Sequence, residues 1–292
     1  MNLADLTITA TVHFDPLLNE DQLAMNGSPA AESAAKRVFA HLDLIRTQAG
    51  FNHRASVITQ SNFPVGAGIA SSAAAFAALT VAGVEAAGLH LTEAELSALA
   101  RRGSGSASRS VPGGYCQWLA GGADETSYAA SIAPAGHWAL CDLVAIVSAE
   151  HKQVGSTGGH RLADTSVLQA GRVASAPGRF ERCKEALLNR DLPAMGPIIE
   201  EDAVIMHCVM MTSRPPLYYW APATLEIIHA TACWRADGLP VYFTIDAGPN
   251  VHLICEAAYA DQVEEAARRL PGVKEIRRSG VGGPARLLGR EM

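Results

Sequence analysis

The spacing of apolar residues predicts alternating strands and helices in the first third of the chain. Leu6–Phe14 alternates apolar and polar residues, as in a strand with one buried face. Ala30–Thr47 has apolar residues at helical spacing, and Ala55–Thr59 is a short strand. A Pro/Gly loop at Ser61–Gly68 then leads into an Ala-rich helix that runs to about Ala87.

The rest of the chain mixes helices and strands in no repeating order. Thr92–Arg101 predicts a helix that opens with a capping box, since Glu95 follows Thr92 by three residues. Gly103–Gly114 is rich in Ser and Gly and is predicted as a long loop. Further strands are predicted at Tyr115–Leu119, Leu140–Val147, Val241–Ile245, His252–Cys255 and Val273–Arg277, and helices within Thr165–Met210, Pro222–Ala236 and Ala258–Leu270.

This order of elements favours the α+β class over a repeating βα fold. No internal repeat or low-complexity segment interrupts it. Strands give way to helices near Ser166, which predicts one domain over residues 1–165 and a second over residues 166–292.

Composition narrows the possible functions. The 292 residues are 49% hydrophobic and 18% charged, enough apolar material for a packed core. The net charge is −6 and Lys/Arg runs are absent, so we expect no nucleic-acid partner. Ala67–Ala87 is interrupted by serines and Glu85, which indicates a buried helix and no membrane span. Six scattered cysteines and no signal peptide predict reduced thiols in a cytoplasmic protein.

The first segment with recognisable chemistry is the glycine-rich loop before the Ala-rich helix. Gly66 and Gly68 let the backbone approach a ligand closely, and free N–H groups at the helix start attract anions. Ser71 and Ser72 add hydroxyls that can donate to phosphate or reach a metal. The loop is neither a Walker A sequence nor a dinucleotide fingerprint. A phosphate cradle is the favoured interpretation; a Gly-rich cap on a buried helix is the alternative.

Four segments in order carry a family resemblance. The string N-F-P-x-x-x-G-x-A-S-S-A-A at Asn62–Ala74 resembles the ATP-phosphate loop of the GHMP kinases, and in particular that of the mevalonate diphosphate decarboxylases. Arg101–Ser110 is similar to the family's R-x-G-S-G-S-A-[CS]-R-S, and Thr244–Asn250 to its F-D-A-G-P-N. A fourth segment of the family is matched by His207, Ser213, Pro215, Pro216 and Tyr218.

The resemblance covers nearly the whole chain and implies both fold and activity. It implies a GHMP-kinase-like two-domain fold, with a ribosomal-protein-S5-like N-terminal part and a ferredoxin-like C-terminal part. It further implies ATP-dependent decarboxylation of mevalonate 5-diphosphate in isoprenoid biosynthesis, with ATP and Mg2+ as cofactors. Phosphorylated mevalonate is the expected small-molecule partner, and a homodimer is the expected assembly.

The resemblance also assigns roles to residues. Asp246 matches the carboxylate that takes or orients the proton of the substrate's tertiary hydroxyl, and Arg109 matches the arginine on the substrate's carboxylate. The catalytic set is completed by Ser72, a candidate Mg2+ contact. The expected ATP-binding residues are Pro64, Gly66, Ala67, Gly68, Ala70, Ser71, Ser72 and Ser104, and the expected substrate-binding residues are Ser106, Arg109, Lys152, Ser156, Thr157, Ser213 and Asp246.

Several of these residues have plainer interpretations from the sequence alone. Asp246 also suits an Asx turn, Arg109 a solvated loop, and Ser104 and Ser106 turn or cap positions. His207 is interpreted as a structural histidine rather than a proton carrier.

The chain departs from the family pattern in two places. The K-Y-W-G-K segment with which family members usually begin has no counterpart here, which predicts either a late recorded start or a lost strand. Gly155 and His160 stand where the family often has Ser and Met, in the segment expected to read the substrate's phosphates. The alternatives are therefore decarboxylation of mevalonate 5-phosphate, a kinase that stops at phosphorylation, and a non-catalytic ATP-binding homologue.

Overall fold

The computed structural model describes residues 1–63, 71–148 and 156–289, which fall into two compact units. Unit 1 comprises residues 1–63, 71–137 and 281–289, and unit 2 comprises residues 138–148 and 156–280. Helices and strands mix without a repeating βα order, which confirms the α+β class. The domain boundary after residue 165 stays a prediction.

Unit 1 packs three helices against a four-stranded sheet. Its elements are β1 (Ile8–Asp15), β2 (Gln22–Met25), β3 (Ser28–Pro29), α1 (Glu32–Ala49), β4 (Arg54–Ser61), α2 (Ser71–Ala86), α3 (Glu93–Gly103), β5 (Tyr115–Trp118) and β6 (Ala129–Ala133). The sheet order is β1-β4-β2-β3, with β4 antiparallel to β1 and parallel to β2. The apolar faces of the helices and of β4 form the core, which includes Leu42, Ile45, Val57, Phe76, Leu79 and Leu99.

Local signals predicted most of unit 1, and tertiary pairing supplied the rest. The capping box of α3 is confirmed, because Thr92 Oγ1 accepts from the Glu95 amide and Glu95 accepts from the Thr92 amide. The predicted loop Gly103–Gly114 instead contains a 3-10 helix, Gly105–Ser110, whose Ala107 and Ser108 are fully buried. Strands β2, β3 and β6 are too short for an alternation of apolar and polar residues to reveal them in the sequence. They form by pairing with neighbouring strands.

Unit 2 is an antiparallel sheet covered by helices. Its elements are β7 (Leu140–Ile146), α4 (Ser156–Ala163), α5 (Gln169–Leu188), α6 (Leu192–Met211), α7 (Pro222–Ala236), β8 (Val241–Thr244), β9 (Val251–Glu256), α8 (Ala260–Arg268) and β10 (Glu275–Gly280). The strand order is β10-β7-β9-β8. One core cluster joins β7, β8 and β9 to α7 and α8, and includes Leu143, Val241, Leu253, Ile227 and Val263.

An ion pair anchors α6 to this sheet. Glu200 on α6 accepts hydrogen bonds from the Arg235 guanidinium at 2.7 Å and from the Phe243 amide at 3.1 Å. Next to it, the backbone of α6 passes so close to Tyr242 that a Cβ at Gly196 would overlap the ring. Together these contacts fix α6 over β8.

A second ion pair lies within the sheet itself. His252 Nδ1 on β9 lies 2.8 Å from Asp142 Oδ2 on the neighbouring strand β7, and both side chains are buried. Burial favours the neutral imidazole, but the charge of Asp142 and the hydrogen bond to it, aided by the Asp246 charge, raise the pKa of His252 to about 9. His252 is therefore protonated at neutral pH.

This pair predicts a loss of stability as pH rises. The pKa of His252 is higher in the folded state than the unfolded value of about 6.5, so its contribution is complete below pH 6.5 and is lost as pH approaches 9. At about 1.4 kcal/mol per pKa unit, the loss is on the order of 3 kcal/mol. Urea unfolding between pH 6.5 and 9 should show it in the wild type and not in an Asp142→Val/His252→Val double variant.

A His229→Gln variant is the matched control, because His229 is exposed on α7. Its pH dependence should equal that of the wild type. Parallel stability curves for the wild type and the double variant would contradict a protonated His252.

Candidate active site

The expected ATP-binding serines lie at the start of α2. Ser71 is the first residue of the helix and is buried, and Ser72 is half-buried beside it. The amides of a first helical turn lack helical partners and attract anions. The predicted phosphate site therefore lies at a helix start of the kind that suits an anion, and it stays a prediction. The other expected residues of this loop lie outside the described residues: Pro64, Gly66, Ala67, Gly68 and Ala70.

Ser104 directly follows α3, whose last residue packs against α2. Ser72 and Phe76 are four residues apart and share a face of α2. Gly103, the last residue of α3, lies so close to Phe76 that a Cβ there would overlap its ring. Ser104 is the next residue after Gly103 and is half-buried. The role of Ser104 as an ATP contact stays a prediction.

The 3-10 helix Gly105–Ser110 presents Ser106 and Arg109. These residues are three apart, and three residues make one turn of a 3-10 helix, so both lie on one side. The opposite side is anchored by Ser97 on α3, whose hydroxyl donates to Ser108 O at 2.9 Å and accepts from the Ala129 amide at 2.8 Å. A buried serine thereby fixes the position of the Arg109 backbone.

The Arg109 side chain is exposed and lies against an aromatic ring. Its guanidinium carbon is 5.8 Å from the centre of the Trp118 ring, within the range of a cation–π contact. Trp118 is oriented in turn by Ser127, which accepts its indole N–H at 3.1 Å. Such stacking leaves the guanidinium edge available for a carboxylate or phosphate.

In unit 2, Asp246 lies just after β8 at the start of a tight turn. Its side chain is exposed, while the preceding Ile245 is almost fully buried. The Gly248 amide donates to Asp246 O at 2.7 Å and closes the turn. The carboxylate is thus presented to solvent from a well-anchored backbone.

Two buried side chains hold this turn in place. Asn250 Oδ1 accepts from the Val147 and Ser148 amides, at 2.9 and 3.2 Å, and its Nδ2 donates to Ser148 O at 3.0 Å. Thr224 Oγ1 donates to Pro249 O at 2.6 Å and ties the turn to α7. Because these hydrogen bonds tie down Pro249 and Asn250, which follow Asp246 closely in the chain, they hold the backbone of the turn in place.

His207 on α6 lies beneath the Asp246 turn. It is 1% exposed and packs against Trp220, with ring centres 4.9 Å apart. Burial lowers the pKa of His207 to about 4, against the opposing effect of its hydrogen bonds to the Ile245 and Asp246 backbone and of the Asp246 charge. His207 is therefore neutral at physiological pH and supports the turn, which fits the structural interpretation.

The remaining predicted substrate residues differ in how they are placed. Ser213 is buried after α6, and its hydroxyl lies 2.8 Å from the carbonyls of both Met210 and Pro215. Ser156 and Thr157 form the first turn of α4. Lys152 lies outside the described residues. Their roles at the substrate stay predictions.

A cavity of about 110 Å³ lies next to the Asp246 turn within unit 2. Ala247 of the turn and Tyr219, which precedes α7, form part of its wall, and α4, α5 and α6 form the rest. Its polar lining residues are His160, Gln169, Arg172 and Tyr219; the others are glycine, alanine, valine and methionine.

No local pattern in the sequence indicates this cavity, whereas one residue indicates the buried ion pair. Arg172 and Gln169 are ordinary polar positions of a helix until the fold closes around them. Asp142, in contrast, interrupts the apolar run Leu140–Val147, and a charge inside a buried strand requires a partner. The identity of that partner, His252, depends on strand pairing.

The described part of the chain contains neither a candidate membrane span nor a cluster of metal ligands. Among residues 1–63, 71–148 and 156–289, no helix combines the length and apolarity needed to cross a bilayer. Over the same ranges, no three His, Cys, Asp or Glu side chains are grouped as metal ligands would be.

Known protein families match both parts of the chain. Residues 1–129 match the diphosphomevalonate decarboxylase-like N-terminal domain, and residues 142–279 match the mevalonate 5-diphosphate decarboxylase C-terminal domain. A relative from Haloferax volcanii named phosphomevalonate decarboxylase is 34% identical, over 95% of this chain and 85% of its own.

Solved structures agree with these matches. The mevalonate diphosphate decarboxylase from Enterococcus faecalis, solved in a study of its mevalonate diphosphate-mediated ATP binding, is 35% identical with a TM-score of 0.90. A solved complex of MDDEF with MVAPP, AMPPCP and magnesium is 36% identical, also with a TM-score of 0.90. Each match covers 97% of this chain and 87% of the other.

The fold similarity confirms the predicted GHMP-like two-domain fold. The two domain matches together span most of the sequence, and their ranges include all four motif segments. The chain belongs to the mevalonate 5-diphosphate decarboxylase family of the GHMP kinase superfamily.

Proposed function

We propose that this protein is an ATP-dependent decarboxylase of mevalonate 5-diphosphate. ATP phosphorylates the tertiary 3-hydroxyl of the substrate, and the new phosphate ester then leaves as the carboxylate is lost as CO2. The products are isopentenyl diphosphate, ADP, phosphate and CO2. Membership of the decarboxylase family supports this reaction, which belongs to the mevalonate pathway of isoprenoid biosynthesis.

The start of α2 is the proposed site for the ATP phosphates. Ser71 and Ser72 place hydroxyl donors at a helix N-terminus, which attracts anions, and Ser104 directly follows α3, whose last residue packs against α2. Mg2+ accompanies ATP on its phosphate oxygens, with Ser72 as the candidate protein contact. The bound metal would neutralise the charge that develops as the phosphoryl group moves.

Arg109 is the proposed contact for the carboxylate end of the substrate, and the start of α4 is the proposed contact for its phosphate end. Arg109 holds the carboxylate, because a planar guanidinium can form two parallel hydrogen bonds with it. Ser106 lies on the same side of the 3-10 helix and supports this contact. Lys152, Ser156 and Thr157 hold the phosphates, and Ser213 contributes to the substrate wall.

The observation that supports the mechanism most is the placement of Asp246. The carboxylate is exposed, yet the turn that carries it is fixed by buried Asn250 and Thr224 and is supported by neutral His207. An exposed acid on a fixed backbone suits a group that must meet a substrate hydroxyl in one geometry. Asp246 therefore takes or orients the hydroxyl proton as the oxygen attacks ATP.

A second candidate substrate is mevalonate 5-phosphate. His160 lines the cavity beside the Asp246 turn, at a position where the family often has methionine. An imidazole adds a polar group to the segment expected to read the phosphates, so the length of the phosphate tail that this chain accepts can differ from the family's.

Incubation with ATP and each phosphorylated mevalonate tests the reaction. The purified protein should release ADP and CO2 in equal amounts, measured by coupled ADP detection and trapping of labelled CO2. ADP without CO2 would leave only a kinase. Neither product from either substrate would favour the non-catalytic ATP-binding homologue.

The variant Asp246→Asn tests the mechanism. Asparagine preserves shape but cannot take a proton, so turnover should fall by several orders of magnitude, about 10³-fold or more. Because Asp246 is exposed, thermal unfolding and ATP binding should match the wild type. The exposed Asp164→Asn serves as the matched control and should retain full activity. Wild-type turnover in Asp246→Asn would remove this residue from the mechanism.

We further propose a cytoplasmic homodimer, in line with the family resemblance. The chain mass is 30.7 kDa, so light scattering should give about twice that value. A concentration-independent monomer would contradict the proposal.

A further inference from the structure

We propose that the cavity beside the Asp246 turn receives the terminal phosphoryl group of the substrate, with Arg172 on α5 as its principal contact. This inference rests on the proposed function, since it names further recognition residues for the same substrate. We call this space the Arg172 cavity, defined by His160, Gln169, Arg172, Tyr219 and Ala247.

The first argument is that the Arg172 side chain has no partner in the described part of the chain. Among the described residues its guanidinium forms no ion pair or hydrogen bond, and its Nε is buried without an acceptor. Other buried arginines are satisfied: Arg46 pairs with Asp21 and Asp43, and Arg179 with Asp202. A partly buried cation that lacks a counterion favours an anionic ligand.

The second argument is the chemistry of the other walls. The described residues that line the cavity include no carboxylate side chain. The imidazole of His160 and the hydroxyl of Tyr219 can donate hydrogen bonds, and burial raises the pKa of Tyr219, which keeps that hydroxyl protonated. Gln169 lines the same space, and its Oε1 is buried without a hydrogen bond in the described structure. The donors suit phosphate oxygens. The Gln169 carbonyl can accept from a protonated phosphate oxygen, or from a water that bridges it to the phosphate.

The third argument concerns size and position. A cavity of about 110 Å³ has room for several waters, and therefore for one phosphoryl group. Ala247 in the wall is the next residue after Asp246, and Gly159 and His160 in the wall follow the segment expected to bind phosphates. The cavity thus adjoins both the proposed base and the proposed tail site.

A close approach of α4 keeps this space small. A Cβ at Gly159 would lie 2.9 Å from Tyr219 Oη and 3.3 Å from Met210 Sδ, so a larger residue there would shift the cavity wall. The shape of the Arg172 cavity is therefore set by backbone packing between α4, α6 and Tyr219.

Calorimetric titration without ATP tests the proposal, with mevalonate, mevalonate 5-phosphate, mevalonate 5-diphosphate and inorganic phosphate as separate ligands. Arg172→Gln should weaken binding of the phosphorylated mevalonates by about tenfold to a hundredfold, the usual effect of losing a charge-assisted contact. Affinity for unphosphorylated mevalonate should stay within about twofold. Arg172→Lys should recover part of the loss, because it restores charge without the planar geometry.

Arg182→Gln is the matched control on the same helix, since Arg182 is 59% exposed and lies 3.8 Å from Glu201. It should bind every ligand like the wild type. The proposal is overturned if Arg172→Gln binds the phosphorylated mevalonates normally, or if it loses mevalonate affinity equally. Arg172-dependent binding of inorganic phosphate alone would also overturn the assignment to the substrate.

The binding test of Arg172 can succeed or fail independently of the test of decarboxylation. Because binding is measured without turnover, a protein that releases no CO2 can still show Arg172-dependent phosphate recognition, which would refute the activity and retain the site. Conversely, if the protein releases CO2 but Arg172→Gln binds the phosphorylated mevalonates normally, the decarboxylase activity is retained and the cavity is not a phosphate subsite.

Discussion

The buried hydrogen bonds of Asn250 are the constraint on which the candidate active site depends. One amide side chain accepts from two backbone N–H groups at the end of β7 and donates to a carbonyl there, so the turn after β8 is tied to the central strand of the unit 2 sheet. Buried backbone groups at a strand end require partners. Asn250 meets that need and, in doing so, holds Asp246 at the surface.

Two buried histidines, His207 and His252, lie near this turn and differ in their charge. Neutral His207 supports the backbone from α6, and protonated His252 lies in the sheet opposite Thr244, paired with Asp142. A buried pair of this kind adds little net stability compared with apolar residues, but losing one partner leaves an unpaired charge. The buried polar side chains around the exposed Asp246 carboxylate are therefore either neutral, as His207 is, or paired with an opposite charge, as His252 is with Asp142.

Sequence reasoning identified the strong local signals and missed those that need partners. The capping box of α3 and helix α7 appear as predicted, since both depend on neighbouring residues. The 3-10 helix Gly105–Ser110 was predicted as a loop, because its serines and glycines show no period and its burial depends on Ser97. The chain end near Val281 returns to bridge Leu3, a contact that no local pattern indicates.

The sequence by itself determined the family, the α+β class and the residue types at the candidate site, because ordered motifs and hydrophobic periods are properties of neighbouring residues. Only the tertiary structure decided which of those residues are buried or exposed: Ser213 enclosed and Asp246 open, Arg172 beside a cavity and His252 next to Asp142. The reason is physical. Burial, charge pairing and cavity shape arise from contacts between segments far apart in the chain, and a single sequence does not encode those contacts in any local pattern.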